Sequence, residues 1–98
     1  MNNNSKISIS VIIPVFNEEA TLLIILKKFN QLIDRAEFEL IIVNDGSTDN
    51  SLEIIKSYDD NRIKVINNNT NQGLTKSLNI GLRHCLGKYI ARMDADDY

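Results

Sequence analysis

The stretch that decides the fold is residues 38–49, which read FELIIVNDGSTD. Residues 38–43 are mostly apolar and branched, a composition typical of a strand that is buried on both faces of a sheet. The turn sequence at 44–46 ends that strand, and the Ser, Thr and Asp that follow are helix-capping residue types. A short helix is predicted to continue to about residue 58. This unit therefore predicts a strand followed directly by a helix.

The same order of strand and helix is repeated on both sides of that unit. Ile7 to Ile13 is nearly continuous in β-branched residues, which predicts a first strand that ends at Pro14. Asn17 is predicted to cap a first helix, whose apolar positions between Leu22 and Ile33 have helical spacing. The mixed polarity of residues 62–66 predicts a short third strand at the edge of the sheet.

A third helix and a fourth strand complete the pattern. The helix has one apolar stripe, which consists of Leu74, Leu78, Leu82, Cys85 and Leu86. Gly87 is predicted to close it as the C′ residue, and residues 88–93 predict a strand that leads into the acidic run 94–97. Strands that alternate with helices predict an α/β fold, a Rossmann-like and mostly parallel sheet with right-handed crossovers. Residues 1–6 are expected to be a disordered polar N-terminus, and residues 7–98 one domain.

Composition excludes several classes of protein. The chain has 98 residues, 43% hydrophobic and 24% charged, which is ordinary for one globular domain. Eleven basic against thirteen acidic residues give a net charge of −2, so no broad cationic surface is expected to bind nucleic acid. The sequence has no apolar run of the roughly 20 residues that span a bilayer, and its polar start is not expected to be a signal peptide. A single cysteine predicts a reduced, cytosolic domain without a disulfide or a zinc finger.

Acidic and amide side chains follow three of the four predicted strands, at residues 16–19, 44–46 and 94–97. Ligands of open parallel sheets bind at the carboxyl ends of the strands, so we expect the three clusters to share one edge. The first turn lacks G-x-G-x-x-G, and acidic residues occupy the helix start where a bare pyrophosphate would need amides. A diphosphate fits if a divalent cation stands between it and the carboxylates. Asp94 and Asp96 have the hard oxygen ligands that suit Mg²⁺ or Mn²⁺.

Several of these residues also have purely structural interpretations. Asp45 either belongs to a turn or accepts a hydrogen bond from a base N–H or a sugar hydroxyl. Glu18 is either an ordinary first-turn residue or a side chain that faces the crevice. Phe16 either stacks on a nucleobase or packs in the core. The aspartates at 94–97 alone would also fit a solvated chain end, and His84 is interpreted as structural.

Four motifs in order carry a resemblance to a known family. They are VIIPVFNE at 11–18, VNDGSTD at 43–49, NxGLxxSLNxG at 71–81 and GKYIARMDADD at 87–97. Together they resemble the N-terminal half of a family 2 glycosyltransferase, which has the GT-A fold of nucleotide-diphospho-sugar transferases. The resemblance extends from about Ile7 to Tyr98.

The resemblance implies a role for each matching residue. The nucleoside pocket would be lined by Pro14, Phe16, Asn17 and Glu18. Asp45 would recognise the base, usually uracil. Asp94 would contact ribose or the metal, and Asp96 would coordinate the Mn²⁺ or Mg²⁺ that bridges the donor diphosphate. The sequence departs from the pattern at Leu78, where the family often has arginine, and at Phe16, where tyrosine is commonest.

The resemblance also implies an activity for the parent protein. It would transfer a sugar from a nucleotide donor, a UDP-sugar, to a glycan, lipid or protein acceptor, in the cytoplasm or at the inner face of the membrane. The catalytic base is expected beyond Tyr98, so the chain would supply only donor and metal binding, as an inactive fragment that self-associates or has marginal stability. Two alternatives stay open: a non-catalytic nucleotide-binding or interaction module, and a magnesium-binding phospho-receiver domain.

Overall fold

A computed structural model of the chain describes residues 7–32, 38–58 and 60–93, with the side chains of residues 30–32 left aside. The predicted order of elements is confirmed. The elements are β1 (Ile9–Val15), α1 (Glu19–Leu32), β2 (Phe38–Asp45), α2 (Ser51–Lys56), β3 (Ile63–Asn68), α3 (Leu74–Arg83) and β4 (Tyr89–Arg92). The expected disorder of residues 1–6 falls outside the described residues.

The described strands form one fully parallel sheet in the order β3-β2-β1-β4. Among the described strands β2 is the most deeply buried, because β1 and β3 pair with it along most of its length, whereas β4 pairs with β1 only from Ile9 to Ile12. The edge position predicted for the third strand is confirmed. Because all four strands run the same way, their carboxyl ends meet at one edge of the sheet.

The two faces of the sheet carry separate apolar clusters. On one face, α1 and α2 pack over a core made of Ile13, Val15, Leu22, Ile25, Leu26, Leu40, Ile42 and Ile55. On the other face, α3 covers the smaller cluster of Ile12, Ile41 and Val43. The continuous apolar run in β2 follows from this arrangement, since successive side chains point to opposite faces and both faces are covered.

The first strand does not end at Pro14, as the sequence predicted; it continues to Val15. The carbonyls of Ser8 and Ile12 accept hydrogen bonds from the amides of Tyr89 in β4 and of Met93 just after it. Alternate residues of a strand face the same neighbour, so the backbone of Pro14 also faces the β4 side. The β1–β4 register ends at Ile12, two residues before the proline. Within the described residues, the missing N–H of Pro14 therefore removes no ladder hydrogen bond.

The third helix ends at Arg83, with His84 as its C-cap, so the prediction that Gly87 closes it was wrong. The predicted apolar stripe is also only half right. Leu78 and Cys85 pack against the small cluster, whereas Leu74, Leu82 and Leu86 are exposed. The residues that α3 buries are Ser77 and Gly81. A β-carbon at Gly81 would lie 2.8 Å from Cγ2 of Ile12, so the helix axis approaches the sheet more closely than a leucine stripe would allow.

Candidate functional site

The carboxyl edge of the sheet is built by three loops, which join β1 to α1, β2 to α2 and β3 to α3. Side chains and backbone amides of the three loops are hydrogen-bonded to one another. The expectation that the first two polar clusters share one edge is therefore confirmed.

Asn17 ties the first loop to the second. Its Oδ1 accepts hydrogen bonds from the backbone amides of Thr48 (2.7 Å) and Asp49 (3.2 Å), and its own amide donates to Ser47 Oγ (3.0 Å). Asn17 has a φ of 53°, a left-handed conformation that asparagine tolerates better than most residues. The prediction that Asn17 caps α1 was wrong, because its side chain accepts hydrogen bonds from the β2–α2 loop and not from the first turn of α1.

The second loop binds the first in return. Asp49 Oδ2 accepts the backbone amide of Glu19 at the start of α1 (3.4 Å), and Ser51 Oγ accepts that of Glu18 (3.3 Å). Glu19 Oε1 accepts the amide of Asn50 (3.1 Å). We call the set of Asn17, Glu19, Asp49 and Ser51 the loop clasp.

The charge of Asp49 is stabilised inside the clasp. Burial acts to raise the pKa of the Asp49 carboxyl, but hydrogen bonds from Ser51 and from the Glu19 amide outweigh it, so that pKa lies below its ordinary value. Sequence reasoning gave Asp49 only a helix-capping role. The Asp and Ser residues of the motif at 43–49 were the available signal that this loop forms hydrogen bonds. They did not indicate the partner of Asp49 in the first loop, which lies about 30 residues away in the chain.

Asp45 is the buried carboxylate at the end of β2, with only 5% of its surface exposed. Its Oδ1 accepts the amide of Gln72 (2.7 Å) and Nδ2 of Asn68 (3.0 Å), and its Oδ2 accepts the amide of Gly73 (3.0 Å). Burial acts to raise the pKa of Asp45, and these hydrogen bonds hold that pKa below its ordinary value. The side chain thus stays ionised and fixes the β3–α3 loop. This contact was not foreseen from the sequence.

A second polar row runs beside Asp45 across the top of the sheet. Asn44 donates through Nδ2 to Oδ1 of Asn67 (2.9 Å) and accepts the hydroxyl of Ser47 (2.5 Å). Because Asn44 is 1% exposed, these partners satisfy an amide that would otherwise be costly to bury. The row joins β3 to the loop clasp, since Ser47 also receives the amide of Asn17.

The remaining predicted residues of the first loop lie at the same edge with different exposures. Phe16 is 45% exposed, so the alternative that it packs in the core was wrong and its ring is available for stacking. Pro14 is half-buried near the end of β1, and Glu18 is half-buried just before α1. The Glu18 carbonyl accepts the Leu22 amide (2.8 Å), which makes Glu18 the last residue before the regular helix.

Asp94 and Asp96, the predicted metal ligands, lie outside the described residues. The strand that leads to them is described: β4 pairs in parallel with β1, and the Met93 amide donates to the Ile12 carbonyl (3.0 Å). The chain therefore leaves β4 at the same edge of the sheet as Asp45 and the loop clasp. Within residues 7–32, 38–58 and 60–93, no group of three or more His, Cys, Asp or Glu residues is placed to hold a metal ion.

Two residues interpreted as structural are found away from this edge. His84 donates a hydrogen bond through Nδ1 to the Ile80 carbonyl (2.9 Å) at the end of α3. Cys85 is half-buried against the small apolar cluster, and burial raises the pKa of its thiol. No helix in the described parts of the chain is both long enough and apolar enough to cross a membrane.

Comparison with known protein families gives a match over almost the whole chain. The family described as glycosyl transferase family 2 matches residues 10–98. A glycosyltransferase of Haemophilus influenzae without an assigned function is 44% identical over 92% of this chain and 36% of its own length. Glycosyltransferase GlyG of Streptococcus pneumoniae is 38% identical over 91% of this chain and 30% of its own length. The chain thus spans about a third of the length of the curated relatives that it matches.

Solved structures with the same fold come from the same class of protein. S. aureus TarS 1–349, crystallised in complex with UDP, superposes with a TM-score of 0.76 at 32% identity, covering 91% of this chain and 27% of that one. Glucosyl-3-phosphoglycerate synthase of Mycobacterium tuberculosis, in complex with Mn²⁺, UDP and glucosyl-3-phosphoglycerate, gives a TM-score of 0.74 at 25% identity. The latter match covers 90% of this chain and 33% of the synthase.

Proposed function

The chain belongs to glycosyl transferase family 2 and has the fold of the GT-A nucleotide-sugar transferases, and on this premise we propose that it binds the UDP-sugar donor of a sugar transfer. The transfer would be to a glycan, lipid or protein acceptor. A cytoplasmic location belongs to the same proposal and rests on the single cysteine. Membership of the family decides against the phospho-receiver alternative.

The observation that carries the proposal is the convergence of polar groups at one sheet edge. The loop clasp, Asp45 and the exit of β4 all meet where ligands of parallel sheets bind. We assign the nucleoside pocket to Pro14, Phe16, Asn17 and Glu18, with the exposed ring of Phe16 stacking on the base. Two similar solved structures contain UDP, one of them together with Mn²⁺, which supports a uridine diphosphate donor.

Asp45 has two functions in this proposal. It positions the β3–α3 loop through the amides of Gln72 and Gly73, and it accepts an N–H group of the base. A carboxylate has about four acceptor positions. The two loop amides, Asn68 and the Ser77 hydroxyl all donate to Asp45, so in this proposal the N–H of the base shares a carboxylate oxygen with one of these donors.

A divalent metal fits the donor set at the end of β4. The D-x-D sequence provides two hard carboxylate oxygens directly after a strand that ends at the site edge. We propose that Asp94 and Asp96 hold Mn²⁺ or Mg²⁺ there. When bound, the metal would neutralise charge on the leaving diphosphate. The contribution of Asn17, Asp45 and Asp49 is to hold the surrounding loops in place before the donor arrives.

The proposal is tested by measuring UDP affinity calorimetrically, with manganese and then with a chelator. We expect saturable binding that weakens strongly when the metal is removed. Asp96→Ala should lower the manganese-dependent affinity more than tenfold, which corresponds to more than about 1.4 kcal/mol. Glu53→Ala is the matched control, because it removes the same charge from an exposed position in the middle of α2. A folded Asp96→Ala protein that binds UDP and manganese normally would contradict the metal assignment.

A further inference from the structure

Glu39 is a buried carboxylate that the candidate site does not use. It lies near the amino end of β2, at the sheet edge opposite the loop clasp, and only 1% of its surface is exposed. A charged group buried to this extent is costly unless it is fully paired and hydrogen-bonded. The groups that pair with Glu39 therefore indicate which parts of the fold it holds together.

The partners of Glu39 come from three separate parts of the chain. Its Oε2 accepts the hydroxyl of Ser10 on β1 (2.5 Å) and the backbone amide of Leu86 after α3 (2.6 Å). Its Oε1 lies 3.0 Å from Nζ of Lys64 on β3, and no further donor in the described parts of the chain reaches it. Burial acts to raise the pKa of Glu39, but the hydrogen bonds from Ser10, Leu86 and Lys64 outweigh it, so the carboxyl stays ionised.

Ser10 extends this network to the next residue of the turn. Its Oγ, which donates to Glu39, also accepts the backbone amide of Gly87 (2.8 Å). A β-carbon at Gly87 would lie 2.6 Å from the amide nitrogen of Ser10, so only glycine lets the turn approach β1 this closely. We call the set of Ser10, Glu39, Leu86 and Gly87 the β4 latch.

The latch lies next to a short strand at the edge of the described sheet. All four residues of β4 are exposed, and among the described strands it pairs with β1 alone, from the Tyr89 amide on Ser8 to the Met93 amide on Ile12. The two latched amides come two to three residues before that ladder begins. Since a four-residue strand at an edge has few contacts to define its register, the point where the turn is anchored defines which residue of β4 meets which residue of β1.

We propose that Glu39 is a positioning residue, which through the β4 latch sets the register of β4 and thereby the point at which the chain leaves that strand on the way to Asp94 and Asp96. A slip of one residue would move the exit by about 3.3 Å and turn each side chain to the other face. Either the shift or the reversal would move the two D-x-D carboxylates away from the diphosphate of the donor. This last step rests on the proposed function; the control of the β4 register does not.

The test uses Glu39→Ala in the full-length protein, because it removes the oxygen that accepts from both Ser10 and Leu86, with Glu53→Ala on the exposed face of α2 as the matched control. Hydrogen–deuterium exchange, followed by mass spectrometry, should show at least tenfold faster exchange in peptides that cover residues 86–93. Peptides that cover β2 should be unchanged and serve as the internal reference. The UDP affinity in manganese should fall at least tenfold, while the affinity for uridine alone, which needs no metal, should stay the same. A general loss of structure would lower both affinities together.

Each outcome decides the matter. If Glu39→Ala does not fold, Ser10→Ala replaces it, because it removes the bridge to Gly87 and keeps the carboxylate with its Leu86 and Lys64 partners. Unchanged exchange of residues 86–93 in a folded variant would overturn the proposal. If the unsubstituted protein bound neither UDP nor uridine, the proposed function would fail, and the exchange experiment alone would still decide whether Glu39 holds β4.

Discussion

The conformation of Asn17 leads to a prediction that two substitutions at one position can test. The Asn17 side chain accepts two backbone hydrogen bonds from the second loop, from the amides of Thr48 and Asp49, and it does so with a φ of 53°. Replacing it by Gly removes both hydrogen bonds but allows the same backbone conformation. Replacing it by Ala removes the same bonds and adds a β-carbon where the left-handed conformation disfavours one.

The magnitudes follow from these contacts. The two hydrogen bonds are at an exposed position, so we take the lower end of the usual range, about 1 kcal/mol together. Asn17→Gly adds about 0.5–1 kcal/mol of backbone entropy, for a total near 1.5–2 kcal/mol. Asn17→Ala avoids that entropy but incurs about 1–2 kcal/mol for the left-handed conformation, for a total near 2–3 kcal/mol. We therefore expect Ala to be more destabilising than Gly by about 0.5–1 kcal/mol.

Urea unfolding of the two variants, monitored by circular dichroism, measures both free energies of unfolding. The order of the variants is the decisive result, since at an ordinary backbone position Gly is the more destabilising of the two. If Asn17→Ala proved more stable than Asn17→Gly, the left-handed conformation of Asn17 would be wrong. If neither variant were destabilised, the loop clasp would make no contribution to stability.

Three further predictions concern acid stability, the packing of α3 and the role of Asp45. Because hydrogen bonds hold the pKa values of Glu39, Asp45 and Asp49 below their ordinary values of 4.5 and 3.8, the unfolded chain binds more protons below those values. The contribution of these three carboxylates to the free energy of unfolding is complete above pH 4.5 and is lost as the pH falls through their lowered pKa values. Urea unfolding midpoints that stay constant down to pH 3 would contradict this prediction. Gly81→Val should lower the free energy of unfolding by about 1–3 kcal/mol, because the added side chain overpacks against Ile12 and Val43. Asn79→Val, on the exposed face of the same helix, should change that free energy by less than about 0.5 kcal/mol. Equal effects of the two substitutions would refute the close approach of α3 to the sheet. Asp45→Asn places an amide N–H against the backbone donors of the β3–α3 loop, so hydrogen–deuterium exchange at Gln72 and Gly73 should accelerate and the UDP affinity should fall. If the UDP affinity fell while this exchange stayed normal, Asp45 would act on the base and would not hold the loop.

The order of elements was predictable because it depends on local hydrophobic patterns. The run at residues 38–43 reads as a doubly covered strand from its composition alone, and β2 is such a strand. The same reasoning failed at Pro14. Whether a proline ends a strand depends on whether a neighbouring strand would have bonded to the missing N–H, and local sequence does not show this. It failed also for the third helix, since the sequence shows where leucines recur but not which side of the helix the sheet covers.

The candidate site was predictable in its residues and much less in its contacts. Asn17 and Asp45 were singled out from the sequence, and both lie at the expected edge of the sheet. Their partners were not foreseen, because Thr48 and Gln72 use backbone amides, which every sequence contains. Asp49 and Glu39 were missed as network members for the same reason: their acceptor oxygens serve groups about 30 to 47 residues away.

The sequence by itself determines the alternation of strands and helices, the carboxylates at the strand ends and, through four motifs in order, the family. These are properties of short segments, where hydrophobic period and residue type act directly on the backbone. Only the tertiary structure decides that β4 lies beside β1, that α3 approaches the sheet through Gly81, and that Glu39 joins three segments. Such contacts depend on the exact distance between elements remote in sequence, and that distance is set by the packing of the whole core.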